Sequence, residues 1–261
     1  MADGKFADVR KWRGSGRFGD RNRAPDTESW IPKTALGKRV KSGEITHIDQ
    51  ILDKRMRIME SQIADVLMPN LTTDLLLIGQ SKGKFGGGQR RVFKQTQKKT
   101  QEGNKPKFAT YAVVGNEDGY IGLGYGKSKE TVPAREKAIR NAKLNIIKIR
   151  RGSGSWEDIS PEPSTIPFTV EGRCGSVRIK LIPAPRGTGL SVEKECQKIL
   201  RIAGIKDIWS RTSGQTNTKI NLITACFNAL KQLMEVRVQG RYEKQFGIIE
   251  GSAKQEPEAK T

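Results

Sequence analysis

The chain has 261 residues, 35% of them apolar and 29% charged. That length holds one large domain or two ordinary ones, and the apolar share supplies one or two modest cores. Lys and Arg number 48 against 28 Asp and Glu, a formal charge of +20. This excludes an ordinary soluble surface, where a small domain carries about 2–8 charges, and points to a polyanionic partner.

Residues 1–29 show no hydrophobic period and carry Arg10, Lys11, Arg13, Arg17, Arg21 and Arg23 among glycines. They read as a basic arm that orders on nucleic acid, with Trp12, Phe18 and Trp30 free to stack or to pin it to protein. Thr46 is placed to cap a short helix containing Ile48, Ile51 and Leu52. Ile58, Ile63, Val66 and Leu67 predict another helix, stopped near Pro69. Leu71 to Ile78 is an apolar run, either buried strand or connection.

Residues 79–91, GQSKGKFGGGQRR, read as a mobile positive loop. Val92, Phe93 and Thr96 begin a strand or hairpin arm shared with Lys94, Lys98 and Lys99. Nine basic residues and one acid lie between Lys82 and Lys107. Strands follow at about 107–114 and 120–126, joined by a turn at Asn116–Gly119. Gly122, Gly124 and Gly126 leave one edge of the second strand nearly bare, with Lys127, Lys129 and Lys137 close behind. Bare backbone beside clustered positive charge suits a phosphate backbone. At least one of Gly122 and Gly124 is therefore expected within reach of RNA or a neighbouring backbone. Residues 131–147 predict a helix with Ala134, Ala138, Ala142 and Ile146 on one face and Lys137, Arg140 and Lys143 on another arc. Arg150 and Arg151 continue the basic face.

These elements make an α-β-β-β-α domain over 30–154, leading extension included. Residues 155–165, with Pro161 and Pro163, read as a linker. Residues 166–240 predict a β-β-α-β-α domain with its own core. Its strands are Ile166–Val170, Ser176–Ile182 and Ile205–Trp209. Its first helix carries Val192, Cys196, Ile199, Leu200 and Ala203, with Gly204 at the C-cap. Its last helix is capped by Asn217 and carries Ile220, Ile223, Phe227, Leu230 and Met234. This domain is expected to fold alone and to bind RNA weakly. Residues 241–261 read as a loose polar tail. The fold class is α+β.

Charge divides unevenly: residues 1–151 hold 32 basic against 16 acidic residues, and residues 152–261 hold 16 against 12. The expected RNA contacts are Lys82, Lys84, Arg90, Arg91, Lys94, Gly122, Gly124, Lys127, Lys129, Lys137, Arg140, Lys143, Arg150, Arg151 and Arg186. Arg186 sits on the rigid loop Pro183–Gly189.

Enzyme signals are weak. Gly126-Lys127-Ser128 resembles the end of a nucleotide phosphate loop, but Ile121 stands where that loop needs glycine. His47 is the one histidine, and Cys174, Cys196 and Cys226 lack a zinc spacing, so neither catalysis nor a cofactor is expected. Inert free thiols in a reducing compartment fit better. With no 18-residue apolar run, a cytoplasmic protein without membrane contact is expected.

Several separated motifs, in order, resemble the S5 family of small-subunit ribosomal proteins in its archaeal and eukaryotic form. They are Trp30-Ile31-Pro32-Lys33-Thr34 with Leu36-Gly37, Lys107 to Lys129, and Ala142 to Ile147. GRCGSVRIKLIPAPRGTG from Gly172 to Gly189 and Ala203 to Trp209 complete the set. The resemblance covers roughly residues 30–237, and its Trp30–Ile51 part looks archaeal. Two stretches depart from the family pattern. The Gly79–Gly88 loop is longer and richer in glycine, and Ser164-Thr165-Ile166 stands where a histidine precedes the Pro-Phe pair. The resemblance implies a double-stranded-RNA-binding-like first domain and a second domain of the S5 C-terminal type. It also implies a structural constituent of the small ribosomal subunit that contacts rRNA and neighbouring ribosomal proteins. Such a protein lies near the decoding region and the messenger's point of entrance and supports accurate decoding, with the messenger itself a further partner. A free double-stranded-RNA-binding protein is the alternative.

Overall fold

The computed structural model describes residues 30–81, 88–158 and 162–252. The arm 1–29, Lys82 to Gly87 and the tail from Ala253 lie outside them.

Three short helices open the fold: α1 (Ala35–Lys41), α2 (Asp49–Leu52) and α3 (Ser61–Leu67). The Thr34 hydroxyl caps α1 by accepting from the Gly37 N–H at 3.0 Å. Thr46 does not cap α2, whose N-cap is Ile48. Trp30 is buried with Val40, Ile51, Ile58 and Ile63, so it anchors the entering chain to protein. Its indole N–H donates to Glu60, which also accepts from the backbone N–H groups of Lys33 and Thr34. Burial raises the Glu60 pKa, but these bonds to the charged form outweigh it, and the net shift is downward.

The first sheet holds β1 (Thr72–Leu76), β2 (Lys94–Thr100), β3 (Gly103–Gly115), β4 (Tyr120–Ser128) and β5 (Ile146–Lys148). All pairings are antiparallel: β3 pairs β4 along one edge, and β2 and then β1 along the other. Helix α4 (Thr131–Leu144) covers one face. It ends earlier than its pattern predicts. Ile146 and Ile147 leave it to pair with Gly122 and Ile121 of β4, a conformation that suits β-branched side chains.

Strand β6 (Arg150–Arg151) leads into the second half: β7 (Val170–Cys174), β8 (Val177–Pro183), β9 (Leu190–Ser191), α5 (Lys194–Ile202), β10 (Ile208–Ser213) and α6 (Lys219–Glu235). Its sheet runs β7-β8-β10-β9. The strand predicted at Ile166–Val170 shifts to Val170–Cys174, and the one at Ile205 shifts to Ile208. Gly204, with φ +82°, follows α5 where a C-cap glycine belongs. Thr218, not Asn217, is the N-cap of α6, and Leu233 is buried at the end of its stripe where Met234 was expected. The thiols of Cys196 and Cys226 are buried and in mutual contact, which together with burial pushes the Cys196 pKa up.

The halves share one core. Leu76, Val113, Ile121, Leu123 and Ile149 of the first half pack in a single cluster with Ile199, Leu200, Ile202, Ile223 and Leu230 of the second. Alternation along β3 and β4 explains this: Ala112 and Val114 face α4, and Val113 faces the other way. After α7 (Gly240–Gln245), β11 (Ile249–Glu250) returns to pair antiparallel with β6. The backbone to Ser252 is thus held, where a loose tail was expected.

Candidate nucleic-acid interface

Strand β2 and the first part of β3 form a hairpin that projects beyond the sheet. Every residue from Lys94 to Lys107 is exposed except the half-buried Thr100. Seven residues of strand reach about 23 Å. Register runs unbroken from Lys94↔Ala109 to Thr100↔Gly103. Paired residues share a face, and faces alternate along a strand. Lys94, Lys98, Lys105 and Lys107 therefore line one side of the hairpin. The other side carries Gln95, Gln97, Lys99 and Pro106. Lys127 joins the lysine side, because Ala109 pairs with both Lys94 and Lys127. The same side continues to Tyr125, which is 39% exposed and packs on Tyr111 at 5.1 Å between ring centroids. Burial first, then the neighbouring Tyr111, raises its pKa from an ordinary value at which the hydroxyl is already neutral and able to donate.

Lys98 and Lys105 are directly opposed, an arrangement unfavourable between isolated strands. Glu102 relieves part of it through Lys105 at 2.6 Å, with both side chains more than half exposed. A two-stranded ribbon without an apolar face is marginal in water. An anion bridging the lysines removes the repulsion and gives the ribbon a packing surface. This is the chemistry of a phosphate clamp.

The expected residues divide into separate groups. Lys94 and Lys127 lie on the hairpin face, and Lys129 is exposed just beyond the end of β4. Arg91 is exposed and Arg90 half-buried at the base of the glycine loop, where Arg90 bridges Ser81 and the Gly79 N–H donates to Arg91. Lys137 and Arg140 are exposed on α4, on the opposite side of the sheet from Lys94. The basic surface is thus not one continuous face. Lys82 and Lys84 lie outside the described residues.

For Gly122, Gly124, Lys143, Arg150 and Arg151 the expectation needs correction, since each serves inside the fold. Gly122 and Gly124 are buried. A Cβ on either would come within 3.0 Å of the α4 backbone at Ala138 or Ala142, so the close approach they permit is to the helix. Lys143 is spent on Asp65 at 2.6 Å, with side chains 18% and 10% exposed. Arg150 pairs with Glu250 at 2.6 Å and donates to the Leu233 and Val236 carbonyls. Arg151 is buried and pairs with Asp118 and the Gly251 carbonyl. A buried charge is held by such partners rather than offered to solvent. Arg186 is exposed but paired with Glu162 at 2.9 Å. Lys98, Lys105 and Lys107 share the lysine side but were not among the expected residues, because the register of β2 on β3 is what brings them to it.

Family models for the N-terminal and C-terminal domains of ribosomal protein S5 match residues 89–150 and 172–241. A small ribosomal subunit protein uS5 from Nanoarchaeum equitans is 49% identical over 225 residues, covering 86% of this chain and 96% of that protein. The chain belongs to the S5 family. Its likeness to other archaeal members runs nearly as far. The uS5 protein of Methanosphaera stadtmanae is 44% identical over 85% of this chain and 92% of its own length. That of Thermoplasma volcanium is 45% identical over 81% and 89%. The first family match spans the hairpin, α4 and the glycine strand, which ties the lysine face to the segment that defines the family.

Proposed function

We propose that this chain is a structural constituent of the small ribosomal subunit and holds rRNA phosphates on the lysine face of the β2–β3 hairpin. The row of Lys94, Lys98, Lys105, Lys107 and Lys127 on one side of the ribbon carries this reading. Released counterions supply affinity, and the contact is largely independent of base sequence. Exposed Tyr125 at the root of the ribbon offers a ring for an unpaired base.

We read the chain as a double-stranded-RNA-binding-like first domain over 30–154, a linker at 155–165 and an S5 C-terminal domain over 166–240, a division in which the family matches over 89–150 and 172–241 support the two domains but not the linker. Membership supports a place near the decoding region and the messenger channel, contacts with neighbouring small-subunit proteins and with the messenger, and a cytoplasmic setting on the ribosome. Co-sedimentation with small subunits in high salt tests the reading. Release from the subunit with retained binding to free duplex RNA would favour a free double-stranded-RNA-binding protein instead.

A further inference from the structure

Trp156 is 89% exposed, the most exposed large apolar side chain among the described residues. It does not sit on a slack segment. The Ser153 N–H donates to the Phe246 carbonyl at 2.8 Å, and Asp158 accepts from the Arg186 N–H at 3.0 Å. A bulky aromatic displayed on a tied loop loses little entropy on binding and is a common interface anchor.

Its surroundings select the occupant. Residues 152–170 contain Glu157, Asp158 and Glu162 and no Lys or Arg, within a chain of 48 basic residues. Arg186, whose backbone N–H meets Asp158, pairs with Glu162 at 2.9 Å, and Glu157 is left exposed beside Trp156. Phosphates are disfavoured beside Glu157, whereas a guanidinium or ammonium group meets its carboxylate and an open indole face. We infer that the Trp156 loop docks an arginine- or lysine-rich segment of another protein, with a cation stacked on the indole and a second held by Glu157. On a ribosomal protein this patch is a contact to a basic neighbour rather than to rRNA, so the inference rests on the ribosomal reading.

Photo-crosslinking tests it. Full-length chain with Trp156 replaced by p-benzoylphenylalanine is reconstituted into small subunits, and incorporation is read separately by sedimentation. The expected adduct is a Lys/Arg-rich protein segment. An adduct on rRNA, or none in subunits that contain the chain, overturns the inference while leaving the ribosomal reading intact. Titration of the isolated full chain with a hexa-arginine peptide supplies a second readout that does not depend on incorporation. Trp156→Ala and Glu157→Lys should each weaken that binding about fivefold or more. Unchanged affinity in both variants overturns the inference.

Discussion

Gly124 of β4 lies directly beneath Ala138 and Ala142 of α4, with no room for a Cβ between strand and helix. The same device recurs in the second half, where Gly172 of β7 lies under Ala225 and Ala229 of α6. Each sheet thus carries its helix at a spacing that only glycine against alanine allows.

Gly124→Val should consequently damage the fold itself. Overpacking costs about 1–3 kcal/mol or more, and each kcal/mol lowers Tm by about 2–4 °C in a protein of this size. Thermal melting should show a clear loss, and subunit incorporation should fall with it. Wild-type melting with lost incorporation would return the glycine to an external role.

Charge neutralisation separates the basic groups. Gln at Lys94, Lys98, Lys107 and Lys127 should lower the logarithmic salt slope of RNA binding by roughly 0.7–0.9 per lost phosphate contact, with little change in melting. Gln at Lys137 and Arg140 samples the opposite side of the sheet and should lower it less. Filter binding across a salt series reads both. Equal slopes in the two variants would refute the assignment of the principal face.

Removing Arg151 should act on stability instead. Its guanidinium is buried against Asp118 and the Gly251 carbonyl. Arg151→Ala takes the guanidinium from Asp118, which keeps the Ser252 hydroxyl, and leaves the buried Gly251 carbonyl short of a donor, at a cost of about 1–3 kcal/mol. Denaturant unfolding measures the loss, and the salt slope of RNA binding should be unchanged.

The shared core bears on fragments. Isolated residues 155–240 lose Val113, Ile121, Leu123 and Ile149 from the cluster around Ile199 and Leu230. Exposed apolar area of that kind disfavours an independent fold. The fragment should melt without a sharp transition, or self-associate, where the full chain melts cooperatively. A monomeric, cooperative fragment would show that α5 and α6 do not need the first sheet.

Acidification should report on Glu60, whose folded pKa lies below its ordinary value of 4.5. A carboxylate stabilised in the folded state contributes stability above its unfolded pKa and loses it as pH falls through the folded one. Wild-type Tm should therefore fall more steeply than that of Glu60→Gln below about pH 4.5. Parallel curves would show that Trp30, Lys33 and Thr34 do not favour the charged form.

Much of the scaffold was legible because its signals are local. The alanine stripe of α4, the apolar face of α5 and Gly204 after it need only neighbours a few residues away. The glycines of β4 announced a close approach but not to what, since Ala138 and Ala142 look equally able to face any sheet. Arg150 and Arg151 read as a basic patch because their partners Glu250 and Gly251 lie 100 residues further on. Ile146 and Ile147 fit the helical pattern and were drawn out by pairing with β4. The lysine face was half visible: the charges are plain in sequence, but only the register of β2 on β3 shows which of them look the same way.

The β11–β6 pairing joins two segments about 100 residues apart, so the seam closes only after the later one has been made. Chains emerge N-terminus first at about 5–20 residues per second, so Arg151 and Asp118 wait several seconds for Gly251 and Ser252 to arrive. A chain that stops before Ile249 leaves Arg150 without Glu250 and β6 without its partner strand, so the seam between them stays open.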